Sequence, residues 1–216
     1  NKTTIVVDSN KTNPGKNGTI TIKAKTLWSP SGDSGSKYTA AHGIAVGNFS
    51  QRFNKKISED LVKTTINADV VIEELRGGSI KTTGISSMDC SDLAINGRFT
   101  IKPGAISLMQ WNRGDQSKTY GIYMIGSNNT ISITSADIDD SKNGSLSDLI
   151  KTDESLWGGK TEKNVLRIGG GTLKVKENQK ERYLISAAKG FRTFINVNQD
   201  GSAIGTSKAD LQGTIR

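Results

Sequence analysis

The run Thr19-Ile20-Thr21-Ile22-Lys23-Ala24 places Ile20, Ile22 and Ala24 on one face and Thr and Lys on the other. Period-two alternation of this kind is the mark of a half-buried β-strand. It recurs as Thr130-Ile131-Ser132-Ile133-Thr134 and Thr172-Leu173-Lys174-Val175-Lys176, with variants at Phe99-Thr100-Ile101-Lys102 and over Thr193 to Val197. Gly, Asn, Asp and Ser bound nearly every run, as the chemistry of tight turns requires. A chain written this way is all-β.

The spacing narrows the choice. The strand centres Ile72, Ile101 and Ile131 lie 29 and 30 residues apart. A second phrase recurs out of phase with them: His42-Gly43-Ile44, Thr83-Gly84-Ile85 and Tyr120-Gly121-Ile122. Repeats of this length point to stacked units that bury their apolar faces only against one another. A solenoid of stacked units is therefore expected over residues 1–216 as a single domain, with an antiparallel β-sandwich as the alternative. Ser29 to Ser36 and Asp137 to Asp148 read as insertions that leave the repeat as loops. Helical signal is confined to Ser58 to Thr64 and Ser147 to Leu156, each allowing at most one short helix.

Composition agrees with a narrow core. Hydrophobic residues make up 33% of the chain and aromatics 6%, too lean for a wide globular interior. Cys90 is the single cysteine, so neither an intrachain disulfide nor a multi-cysteine zinc site is available. It reads as a small buried hydrophobe. The net charge of +8 raises anionic partners. However, the Lys and Arg residues are dispersed, and blocks such as Lys55-Lys56 and Lys174 to Lys180 are interleaved with polar residues. They read as solvated faces, and nucleic acid is not expected as a partner. No run of 18 apolar residues exists, so no membrane insertion of this segment is expected. The start at Asn1 reads as an excised or processed piece.

The phrases Asn17-Gly18-Thr19-Ile20-Thr21-Ile22, Gly170-Gly171-Thr172-Leu173-Lys174-Val175 and Phe194-Ile195-Asn196-Val197-Asn198 resemble the passenger region of Gram-negative autotransporter adhesins, the type V secreted proteins. Ala209-Asp210-Leu211-Gln212-Gly213-Thr214-Ile215 is similar to the phrase that opens a further coil in such passengers. The resemblance runs from about Ile5 to the end and is one of texture. It implies a right-handed parallel β-helix, a fragment of a longer surface protein secreted through the outer membrane and displayed outside the cell. Its implied partners are host or bacterial surface proteins or glycans.

Several letter patterns raise chemistry. Gly32-Asp33-Ser34-Gly35-Ser36 and Thr39-Ala40-Ala41-His42 match the nucleophile and general-base phrases of trypsin-like serine proteases. Here Ser34 precedes His42 by only eight positions, and both would stand in one loop, so no catalytic residue is assigned. Asp137, Asp139 and Asp140, and Glu73 with Glu74, are the acids that a β-helical polysaccharide lyase, glycoside hydrolase or phage tailspike-type protein would need, the second functional reading. Beside turns and lysines they read as solvated. Asp139-Asp140-Ser141-Lys142-Asn143-Gly144 has oxygens spaced as in a calcium loop, but Ile150 stands where a bidentate Glu belongs, so no metal is assigned. No cofactor is expected either. Arg113-Gly114-Asp115, between Trp111-Asn112 and Gln116-Ser117-Lys118, is the candidate ligand-binding loop, since a turn there splays opposite charges outward. Trp28 and Trp157 read as sugar stackers or caps of the core. The sequons at Asn17, Asn48, Asn128 and Asn143 mark turn-rich surface.

Overall fold

A computed structural model of the chain describes residues 2–6, 18–25, 40–47, 61–78, 81–108, 118–153, 163–176, 182–188, 190–195 and 209–216. Among these residues there is no helix. Strands β1 (Lys2–Val6), β2 (Thr19–Lys25) and β3 (Ala40–Gly47) are followed by β4 (Val62–Asn67), β5 (Asp69–Gly78) and β6 (Lys81–Met88). Then come β7 (Ser91–Ile101), β8 (Ile106–Leu108), β9 (Lys118–Ile125), β10 (Thr130–Asp139) and β11 (Asp148–Asp153). The last are β12 (Asn164–Ile168), β13 (Gly171–Lys174), β14 (Tyr183–Ser186), β15 (Phe191–Ile195) and β16 (Ala209–Gln212).

Every strand pairing among the described residues is parallel. The antiparallel sandwich is thereby excluded as the pairing scheme of these residues. One sheet has eleven strands and contains the row β1-β4-β7-β10-β12-β15. A second row in it links β2, β5, β7, β10, β13 and β16. The other sheet has five strands in the order β3-β6-β9-β11-β14. The chain visits the first row, the second row and the five-stranded sheet in that order, then returns to the first row one strand further on. The long strands β7 and β10 serve the first row with their N-terminal halves and the second with their C-terminal halves.

Like residues therefore lie over like. Ile66, Ile95, Ile133, Ile168 and Ile195 are successive register partners. So are Ile22, Ile72, Ile101, Ile138, Leu173 and Leu211. In the five-stranded sheet, Ile44, Ile85, Ile122, Ile150 and Ile185 follow one another. Members of all three rows meet in one core between the sheets, where Ile72, Ile85, Ile122 and Leu166 are fully buried. Each such side chain contributes about 1.5–3 kcal/mol by leaving water.

Two expectations are corrected. Val62–Thr64, assigned to a helix, lie in β4, while Ser58 to Asp60 fall outside the described residues. Asp148–Asp153, also assigned to a helix, form β11. There Leu149 and Ile150 are consecutive and both join the core, which breaks the strand alternation and imitates a helical face. The insertion at Asp137 to Asp148 is shorter than expected, because Asp137 to Asp139 belong to β10. Ser29 to Ser36 lie outside the described residues.

The returns from the five-stranded sheet to the first row are joined by buried amides. Asn129 receives a hydrogen bond from Ser91 Oγ at 2.9 Å, and its own Nδ2 donates to Asn164 Oδ1 at 3.1 Å. Asn164 Nδ2 in turn donates to the Gly126 carbonyl at 2.6 Å. Asp89 and Cys90, with φ of 28° and 56°, make the tight turn after β6, and Cys90 is buried there. The buried polar groups of these returns are thus satisfied by their neighbours one strand away.

Candidate functional site

The outer face of the five-stranded sheet holds the richest side-chain chemistry among the described residues. Its layout follows from the repeated glycine. A Cβ on Gly43, Gly84 or Gly121 would point at the eleven-stranded sheet, against Ile72, Ile101 or Ile138. The following Ile85 and Ile122 also enter the core. Two consecutive inward residues make positions i and i+3 share the outer face, where strict alternation would separate them. Tyr120 and Tyr123 accordingly stack, with ring centroids 5.1 Å apart and an interplanar angle of 11°.

Neighbouring strands add charge to this pair. Lys81 Nζ lies 3.8 Å from the Tyr123 centroid and 5.9 Å from that of Tyr120. Tyr123 Oη donates to Asp153 Oδ2 at 3.0 Å, and Asp153 pairs with Lys151 at 3.2 Å. Lys151 also donates to Ser186 Oγ at 3.2 Å. His42 Nδ1 lies 2.6 Å from Thr83 Oγ1. Met88 packs beside the tyrosines and Ile125.

The tyrosines and Thr83 are shielded from water, since Tyr123 is 4% exposed and Thr83 fully buried. Burial pushes both tyrosine phenols well above their ordinary range, and the Asp153 charge adds to it. Burial lowers the Lys81 amine and, with help from the Lys81 charge, the His42 imidazole. Burial raises the Asp148 carboxyl, register partner of Tyr120. The chemical outcome is a set of protonated phenols under a cation, held by a carboxylate. It joins adjacent strands.

The acids weighed in the sequence are dispersed. Asp137 pairs with Arg98 at 3.3 Å, and Glu73 pairs with Lys102. The Lys102 hydrogen bond and charge hold the Glu73 carboxyl below its ordinary range. The loop with calcium-like spacing is closed by protein groups. Asp140 accepts from the Ser145 amide at 2.9 Å and the Leu146 amide at 2.8 Å. Arg182 donates to the carbonyls of Gly144 and Leu146 and lies 3.9 Å from Asp140. Asp139 Oδ1 accepts from the Ser141 amide at 3.0 Å and the Ser141 hydroxyl at 2.5 Å. No group of three or more His, Cys, Asp or Glu among the described residues is arranged to hold a metal ion.

Of the sequence candidates, His42 lies in β3 and meets Thr83. Ser34, Trp28, Trp157 and the loop Arg113-Gly114-Asp115 lie outside the described residues. Asn128 and Asn143 are exposed in turns, while Asn17 and Asn48 lie outside the described residues. Lys81, Tyr123 and Asp153 were not singled out in the sequence. The Gly-Ile phrase finds Tyr123 among them, two residues after Gly121, but not Lys81 or Asp153. Among the described residues, no helix is long and apolar enough to cross a membrane. Comparison with protein-family models, with curated proteins and with solved structures gave no match.

Proposed function

We propose that this chain is a β-helical scaffold segment of a bacterial surface adhesin, of the autotransporter passenger kind. The observation that carries the reading is the cyclic order of the strands. The chain returns repeatedly to the same three parallel rows, and isoleucine lies over isoleucine in each. A chain wound in this way is a stack of coils, right-handed as parallel crossovers are.

Such a stack holds its outer faces and the loops between strands at fixed spacings. Recognition on it is extended and made of many weak contacts, in contrast to a closed pocket. The fate of the acids favours this over a polysaccharide-degrading enzyme, because Glu73 and Asp137 each face a basic partner instead of one another. Arg113-Gly114-Asp115 is the loop through which we place contact with a host or bacterial surface protein or glycan. The excess of 29 basic over 21 acidic residues favours anionic ligands at long range.

Binding to an array of glycans and matrix proteins at low and at physiological salt tests the reading. Saturable binding to a defined subset that survives physiological salt is the expected result, weakened by Asp115→Ala. Binding to anionic spots alone, lost at physiological salt, would mark screened charge attraction and overturn it. Release of oligosaccharides from the array would favour the enzyme.

A further inference from the structure

Lys and Arg residues far apart in the chain converge on one seam of the molecule, where strands of the second row end and those of the five-stranded sheet begin. β2 ends at the exposed Lys25, whose register partner near the end of β5 is Arg76. Like charges directly opposite one another destabilise a sheet. β9 begins at Lys118, whose register partner is Lys81. Lys81 turns away onto the ring of Tyr123, which leaves Lys118 at the seam. Lys142 is exposed in the turn after β10. Close to that turn, Lys176 and Arg182 meet over one glycine. A Cβ on Gly144 would stand 2.9 Å from Lys176 Cδ and 3.0 Å from Arg182 Nη1.

The acids of the seam are engaged elsewhere. Glu73 is tied to Lys102, Glu74 is the register partner of Lys23, and Asp210 pairs with Lys174 at 2.7 Å. Asp139 accepts from the Ser141 amide, and Asp140 accepts from the amides of Ser145 and Leu146 and reaches Arg182 only at 3.9 Å. Cations of adjacent strands are thus brought together repeatedly along one line. A fold breaks a local rule of this kind where function asks for it.

We propose that this seam binds a linear acidic polysaccharide, sulfated or rich in uronic acid, laid across successive strands against Lys25, Arg76, Lys118, Lys142 and Lys176. Neighbouring strands are about 4.8 Å apart, so the bases form a row that an extended chain with repeating acidic groups can follow. The row is one or two bases wide on each strand, which suits a single chain and not the two phosphate rows of a duplex. The choice of a polysaccharide over a nucleic acid rests on the adhesin reading; the convergence of the bases does not.

Surface plasmon resonance of the whole chain at physiological salt, over heparin oligosaccharide, neutral dextran, and single- and double-stranded DNA, tests this. Saturable binding to heparin, weaker binding to DNA and none to dextran is the expected result. Lys142→Gln with Lys176→Gln, and Lys25→Gln with Arg76→Gln, should each weaken heparin binding about tenfold and flatten its salt dependence. Lys63→Gln with Arg192→Gln removes the same charge from the first row and should weaken it less than about twofold. Arg76→Gln relieves a repulsion, so its urea midpoint without heparin should match or exceed that of the native chain, which shows that it is folded. Equal loss from the seam pairs and the first-row pair would overturn the seam and leave the adhesin reading standing. Absence of heparin binding at physiological salt would overturn the seam as well. Tighter binding to DNA than to heparin would overturn the polysaccharide and count against the adhesin reading too.

Discussion

Lys81 holds its ammonium 3.8 Å above the ring of Tyr123, and the phenol of that same ring donates to Asp153 on the strand beyond. Three successive strands of the five-stranded sheet, β6, β9 and β11, are thus linked through one aromatic side chain. Tyr123→Phe keeps the ring under Lys81 and removes the hydrogen bond to the carboxylate. A loss of about 1.5–3 kcal/mol is expected in urea unfolding, as for other hydrogen bonds to charged groups. Tyr123→Leu should cost more, because the cation–π contact goes as well.

The same burial predicts alkaline behaviour. The folded-state pKa values of Tyr120 and Tyr123 stand above the unfolded value, so these groups stabilise the fold below about pH 10. That contribution declines as pH rises past it, because only the unfolded chain ionises freely. Phenolate absorbance should therefore show two of the four tyrosines titrating only together with loss of the β-sheet circular dichroism signal. Smooth titration of all four in the folded protein would contradict the burial.

His42 gives the acid counterpart. Its pKa is lowered, first by burial and then by the Lys81 charge, so the folded state favours the neutral imidazole. Stability from this group is present above about pH 6.5 and falls as pH drops through the lowered value, by no more than about 1.4 kcal/mol per pH unit. Asp89 and Asp148, raised by burial, act in the opposite sense at lower pH. Denaturant midpoints measured between about pH 7 and 5 should decline for the native chain and flatten for His42→Asn.

The repeat was legible in the sequence where its residues are stacked in constant register. The phrases around Gly43, Gly84 and Gly121 lie directly over one another in the five-stranded sheet. Ile72 and Ile101, 29 residues apart, are register partners. Ile131 is not the next member, although it stands 30 residues further on. It pairs with Leu93, and Ile138 takes the place over Ile101. The β7-to-β10 offset is 37 to 38 residues, longer than that from β4 to β7, so a fixed period fails there. The fourth and fifth visits to the five-stranded sheet were hidden for another reason. Leu149-Ile150 and Leu184-Ile185 carry a leucine where the earlier strands carry glycine. The outer cluster was illegible because strict strand alternation gives no sign that two consecutive residues both turn inward.

That inward turn has a direct test. A Cβ on Gly121 would stand 2.7 Å from the Leu149 carbonyl oxygen, and one on Gly84 would stand 2.6 Å from that of Gly121. Both obstacles are backbone, which cannot swing aside as a side chain can. Gly84→Ala and Gly121→Ala should each cost about 1–3 kcal/mol, as overpacking of a filled interior does. By contrast Ala45→Ser, on the exposed outer edge of β3, should leave the urea midpoint within error. Equal effects at the three positions would mean that the glycines do not face the core.

Asp140 supports the loop after β10 by accepting from the amides of Ser145 and Leu146, while Arg182, immediately before β14, occupies the carbonyls of Gly144 and Leu146. The loop is therefore self-sufficient in charge, and an added divalent cation would have to displace a guanidinium tethered to the start of β14. Calcium is expected to leave the melting temperature of the native chain unchanged. Asp140→Ala strands the amides of Ser145 and Leu146, and should cost about 1–3 kcal/mol per unsatisfied buried group. Arg182→Met removes the competing cation but leaves the carboxylate and carbonyls in place. Isothermal titration of that variant with calcium discriminates cleanly. Binding gained on removal of Arg182 means that the loop has oxygen ligands in usable geometry and is closed to metal by the arginine alone. No binding in either chain means that the amide hydrogen bonds to Asp140 already fix the carboxylate away from any shared centre.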